Sequence, residues 1–432
     1  MLTREQNELL CQTGAGTPAG DLLRSFWQPV ALAQELPAAG APVPLKIMGE
    51  ELVLFRDESG KAGLLGLHCA HRGADLSYGR LEDGGLRCIY HGWLYDASGR
   101  CLEQPGEPAG STFHERIRQT AYPTHEAVGV IFAYLGRGEP PQFPAYEFLT
   151  ASDEHIYADK YLYGSNYLQG NEGNIDPAHL SFLHRFLRED LVTGNTDRGP
   201  LGSNVSSNEL FGRDVAPHLE VEPTDFGVRI FSLRDAGEGR RYVRISNFIF
   251  PNLSAFPGGG TGDGYGVNWH VPIDDTRHWK FNINLSRSKA IDKEWQKRSR
   301  TGEVLPDYSL RRNRANRYLQ DREEMKTRSY IGLGPFFAAH DSLAVEGPGH
   351  IQDRTLEHTA TTDKAIVMSR LQLLKAIADM QAGKDPMHLI RTPDANRLGH
   401  VGAVDCVVPI DEDWRNIWRR YLPVDEPVAG RA

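Results

Sequence analysis

At 432 residues the chain can hold two or three domains with sizeable cores, which argues against a lone electron carrier. A formal charge of −9 argues against a nucleic-acid partner, since phosphate binding needs a net basic face, and any anionic ligand must meet local arginines. Five cysteines, odd in number and partly scattered at Cys11, Cys101 and Cys406, argue against a disulfide framework and fit a reducing cytoplasm; the start lacks an apolar signal core, and no run approaches a membrane span.

In chain order, residues 5 to 27 read as helical pieces broken at Gly14–Pro18 and ending on Phe26-Trp27. From 28 to 140 the pattern is short alternating strands, among them Pro44–Met48, Glu51–Phe55 and Gly129–Tyr134, with Gly136–Pro141 as an exit linker. From 141 to 432 the elements are mixed: a helix near 177 to 187, strands at 228–233, 242–250 and 279–285, and late helices. The fold class is therefore α+β, an N-terminal all-β module followed by an α+β domain with an antiparallel sheet. Residues 311 to 328, dense in both charge signs, read as a helix with a solvated face or subunit contact.

Two Cys-His pairs stand inside the all-β module, Cys69-Ala-His71 and Cys88-Ile-Tyr-His91, each in a loop rich in glycine and aromatic residues. Two thiolates on one iron and two imidazoles on the other can hold a [2Fe-2S] cluster, and neutral imidazoles make it accept an electron more readily. Gly73 and Gly92 would let the backbone approach the sulfurs, with Tyr90, Trp93 and Tyr95 shielding one side. A structural Cys2His2 zinc site is the alternative, though zinc sites more often use C-x-x-C or H-x3-5-H pairs.

A second constellation follows at Asp176-Pro-Ala-His179-Leu-Ser-Phe-Leu-His184. Two histidines with a carboxylate suit a facial triad on Fe(II) that leaves positions open for O2. Five residues of regular helix separate His179 and His184 by about 140°, so an irregular or π-widened turn is expected between them. Asp176 before Pro177 also reads as a helix N-cap, a role compatible with a hydrogen bond to a histidine.

Together the two motifs resemble the catalytic α-subunits of Rieske non-haem iron ring-hydroxylating oxygenases, most of all the phthalate dioxygenase-like branch. The resemblance extends over Phe26–Val30, Asn166–Gln169, Trp269–Asp275, Tyr318–Arg322 and Gln352–His358 with Asp363. It implies Cys69, His71, Cys88 and His91 as cluster ligands and His179 and His184 as iron ligands. The third iron ligand then lies shortly before the Asp353-Arg354-Thr355 segment, at Asp341, with Glu346 and Asp353 as alternatives; His340 and Ser342 beside it depart from the family pattern. The resemblance also implies a trimer in which Asp176 links a cluster histidine of one subunit to an iron histidine of the next.

Such a protein would take electrons from NADH through a separate flavin and ferredoxin-type reductase, since no nucleotide-binding glycine fingerprint occurs here. The branch favours aromatic carboxylates and aryl ethers, and Arg244, on a strand with apolar alternate neighbours, is the candidate for the carboxylate. Ring dioxygenation and oxidative O-demethylation remain open, as does an electron-transfer protein without catalytic iron.

Overall fold

Two threonines start the two helices at the N-terminus. Thr3 forms a reciprocal capping box with Gln6 ahead of Arg4–Cys11, and Thr17, with Pro18 at the first helical position, caps Pro18–Arg24. The computed structural model describes residues 1–188, 199–258 and 263–423. The first helix lies against the later part of the chain, where Tyr167 Oη donates to Leu10 O and Asn166 Nδ2 to Cys11 O.

Residues 27–134 form three small antiparallel sheets. In the strand Glu50–Arg56, Leu52 and Leu54 face the main core, whereas Val53 and Phe55 face a second core around Cys69, Cys88, Trp93 and Tyr95. One strand thus couples the cysteine loops to the body of the molecule through its period-two alternation. The main core continues into the second part: Gln28 Oε1 accepts from both Trp269 Nε1 and Asn252 Nδ2, and Lys160 Nζ donates to Glu35 while lying 4.3 Å over the Trp279 ring.

The second part is built on an eight-stranded antiparallel sheet. Seven strands run in the spatial order Ile156–Tyr163, Arg277–Leu285, Tyr265–Asp274, Leu253–Pro257, Arg240–Ile249, Gly227–Gly237, His218–Pro223. Arg240–Ile249 divides one edge between two partners, pairing with Val404–Pro409 over residues 240–245 and with Leu253–Ala255 over residues 247–249. The helix Lys364–Gln381 buries Ala365, Ser369, Leu373, Ala376 and Ile377 along one face and packs on the sheet.

Two expected helices are corrected. Residues 177–187 form only a 3₁₀ turn at His179–Ser181 followed by irregular turns, with Phe182 leaving helical geometry at φ −128°. Residues 311–328 contain short helical pieces interrupted at Arg317 and Tyr318, whose φ angles are 52° and 57°. That inversion turns Tyr318 inward, where its hydroxyl donates to Glu346.

A buried charge network ties the N-terminal helix to the helix Tyr167–Asn174. Glu172 receives Arg354 and Arg370; Arg354 also reaches Asn7 and Cys11, and Arg370 reaches Glu357. Burial opposes ionisation of Glu172, but the two arginines hold its pKa below 4.5. Its contribution to stability is therefore complete above the ordinary glutamate pKa and is lost as pH falls toward the depressed value. Glu172→Gln should cost roughly 3 kcal/mol near neutral pH by leaving Arg354 buried without a counter-charge, and less in acid. Chemical denaturation at two pH values checks this; an equal loss at both would sink it.

Candidate metal centres and cavity

The two Cys-His loops share one local geometry. Cys69 O accepts from Gly73 N and Cys69 N donates to Ala74 O, while Cys88 O accepts from Gly92 N and Cys88 N donates to Trp93 O. Both turns need positive φ, 73° at Gly73 and 76° at Gly92, and a side chain at Gly92 would press on Pro105. Both cysteines are buried, and Tyr95 Oη lies 3.2 Å from Cys69 Sγ.

The two imidazoles meet edge to face at 4.5 Å, and His71 stacks on Trp93 at 4.3 Å. Among the described residues His71 Nδ1 is buried with no hydrogen-bond partner, as expected of a nitrogen reserved for a metal. Trp93 and Tyr95 shield the site as expected. Tyr90 does not: it is 57 % exposed and packs against the likewise exposed His91 at the rim.

His179, His184 and Asp341 converge so that one ligand atom of each lies within 4.8 Å of the others. Asn166 caps the helix that precedes the first two, that helix ends at Asn174, and the irregular turn beyond it brings the two rings to 5.0 Å separation. Asp341 comes from the helix Phe337–Glu346, with Oδ1 at 3.0 Å from His184 Nε2. The alternatives lie elsewhere. Glu346 accepts from Gly164 N, Tyr318 Oη and Ser342 Oγ, and the exposed Asp353 accepts from Thr355.

Neighbouring groups set the tautomers. Burial pushes His340 down to about 3, so it is neutral; its Nε2–H donates to Gly334 O, which makes its Nδ1 an acceptor. His184 Nδ1–H must then donate to His340 Nδ1 at 3.1 Å, leaving Nε2 unprotonated toward Asp341. Asp176 Oδ2 lies 3.8 Å from His179 Nδ1, an electrostatic neighbour rather than a hydrogen-bond partner, and its other oxygen accepts from Ala178 N.

Charge follows the same plan. Burial opposes ionisation of Asp341, yet Lys280 and the histidines hold its pKa well below the usual carboxylate range. Lys280 Nζ donates to Asp341 Oδ2 at 2.8 Å. Burial opposes charging His179, but Asp176 and Asp341 raise its pKa.

A cavity of about 410 Å³ opens onto the three residues, walled by Phe211, Phe256, Phe336 and Phe337 and floored by the polar sheet residues Asn268 and Asn282. Arg244 lines it, with Nη2 donating to Pro257 O at 3.1 Å. A second cavity of about 270 Å³ reaches His179 and Asp341, and Asp176 and Lys280 line both cavities.

Sequence reasoning missed Lys280, His340 as an orienting group, and Asp405, which faces Arg244. A signal existed for Lys280: Trp279, Phe281 and Ile283 alternate with Lys280, Asn282 and Asn284, marking one polar face on a buried strand.

Residues 26–121 match the Rieske [2Fe-2S] domain model, and residues 133–428 the model described as LigXa C-terminal domain like. The phthalate 4,5-dioxygenase oxygenase subunit of Pseudomonas putida is 34% identical over 443 residues, covering 98% of this chain and 96% of that one. The 5,5'-dehydrodivanillate O-demethylase oxygenase subunit of Sphingobium sp. is 31% identical over 439 residues, covering 100% of this chain and 92% of that one. Among solved structures, a fluorene-bound oxygenase and ferredoxin complex of carbazole 1,9a-dioxygenase shares the fold at TM-score 0.56 and 20% identity, covering 86% of this chain and 96% of that chain. A Rieske domain, a matching C-terminal domain and full-length relatives together establish that the chain belongs to the Rieske oxygenases, as an oxygenase α subunit.

Proposed function

We propose that Cys69, His71, Cys88 and His91 hold the Rieske cluster of this terminal oxygenase, and that His179, His184 and Asp341 hold its mononuclear iron. The convergence of those three side chains on the wall of a cavity of about 410 Å³ carries the reading. The orphaned His71 Nδ1 and the unprotonated His184 Nε2 fit a bound metal in both places. Bound iron supplies O2 activation, with electrons from NADH delivered by a separate reductase. The chain's own residues orient the ligands, exclude water through the phenylalanine walls and hold the aromatic substrate.

The substrate we infer is an aromatic carboxylate, bound by the unused donors of Arg244 and dioxygenated on the ring. The full-length O-demethylase relative makes oxidative O-demethylation of a methoxy aromatic the second reading. We divide the chain into an N-terminal helical segment to residue 27, a Rieske domain at 28–140 and a catalytic domain at 141–432. A homotrimer, or a multiple of one, suits the exposed Ile89, Tyr90 and His91 at the cluster rim and the exposed Phe182, Ile351 and Leu356 on the catalytic part. No helix among the described residues is long and apolar enough to cross a membrane, and the five free cysteines suit the cytoplasm.

Iron and acid-labile sulfide per chain, taken with the EPR spectrum of dithionite-reduced protein, test the assignment. About three irons and two sulfides with a Rieske signal are expected. Only two irons after incubation with ferrous salt would remove the catalytic site.

A further inference from the structure

The polar end of the large cavity is a pair rather than a lone cation. Arg244 and Asp405 are direct partners across the strands Arg240–Ile249 and Val404–Pro409, and both line the cavity. Asp405 Oδ2 accepts from Tyr242 Oη at 2.7 Å and lies 3.7 Å from Arg244 Nη1. Among the described residues Tyr242 Oη is the side-chain donor to Asp405, whose own backbone N–H also lies against the carboxylate, and Arg244 Nη2 donates to Pro257 O. Both side chains are about nine-tenths buried, at 9% and 13% exposure.

A bare carboxylate approaching Arg244 therefore also approaches a second carboxylate in a poorly solvated recess. The like charge offsets part of the attraction, and the Asp405 carboxylate loses water without gaining a donor from the ligand. A ligand that brings its own hydroxyl satisfies both partners, its carboxylate taking guanidinium N–H groups and its hydroxyl donating to Asp405 Oδ1. We propose that Asp405 is a specificity-determining residue that selects hydroxylated aromatic acids over unsubstituted ones. This rests on the aromatic-acid reading above.

The test is anaerobic titration calorimetry of the holoenzyme with benzoate and with 2-, 3- and 4-hydroxybenzoate. At least one hydroxy isomer should bind roughly tenfold or more tightly than benzoate, because a site built to bond a hydroxyl rejects the analogue lacking it. In Asp405→Asn the negative charge is gone, so benzoate should tighten and the preference should shrink several-fold. All three isomers binding within about twofold of benzoate would overturn the inference, as would a preference that Asp405→Asn leaves intact. The unsubstituted protein decides the first point even if the variant folds poorly. Binding of phenol with no binding of any acid is a different failure, overturning the aromatic-acid reading on which the inference stands.

Discussion

Asp176→Asn should lose about two orders of magnitude in turnover while keeping its full complement of iron and cluster. The substitution is nearly isosteric, and an asparagine oxygen can still accept from Ala178 N, so the local turn survives. What disappears is the negative charge beside His179 Nδ1, the group that raises the pKa of this ring. If Asp176 also reaches a cluster histidine of a neighbouring copy, the electron path breaks with it. Steady-state O2 uptake, metal content and the rate of cluster oxidation after mixing reduced enzyme with substrate and O2 separate these parts. Wild-type rates with full metal content would sink the assignment, and loss of iron would recast Asp176 as a mere support for ligation.

Asp341→Ala should bring mononuclear iron close to zero with sulfide and the Rieske signal unchanged, since the cluster loops pack in a separate core. A second effect is independent of metal. In the metal-free protein Asp341 is the carboxylate partner of Lys280, whose other hydrogen-bond partner among the described residues is Tyr163 Oη. Truncation leaves that ammonium uncompensated, and metal-free Asp341→Ala should be roughly 3 kcal/mol less stable than metal-free wild type. Glu346→Gln supplies the contrast: it weakens bonds to Gly164, Tyr318 and Ser342 but should retain iron. Iron retained in Asp341→Ala and lost in Glu346→Gln would reverse the ligand choice.

How much of this was legible in the sequence depends on how local each feature is. The cluster motifs were plain because four ligands on two short loops need nearby glycines and aromatics, and the loops proved to be two copies of one turn. The histidine pair was legible, and so was the irregularity between the two rings, because regular helix cannot aim residues five apart at one point. The expected helix around that pair was not there: the apolar spacing of Leu180, Leu183 and Leu187 suggests a helix, but tertiary demands on His179 and His184 override it. Asp341 could be named only through the family resemblance, since a partner on another element leaves no trace in local periodicity. Lys280 and Asp405 stayed hidden for the same reason; their roles exist only in the pairing of strands distant in sequence.

The forked edge of Arg240–Ile249 gives the cavity two independently supported ends. Asn268 and Asn282 sit on strands joined in the sheet to Leu253–Pro257, while Arg244 is matched by a late segment, Val404–Pro409, that pairs along residues 240–245. Changes in that late segment can redraw what the wall around Arg244 accepts and leave the elements carrying His179, His184 and Asp341 in register. Divergence in diet, for an enzyme of this design, can be written in its last strand.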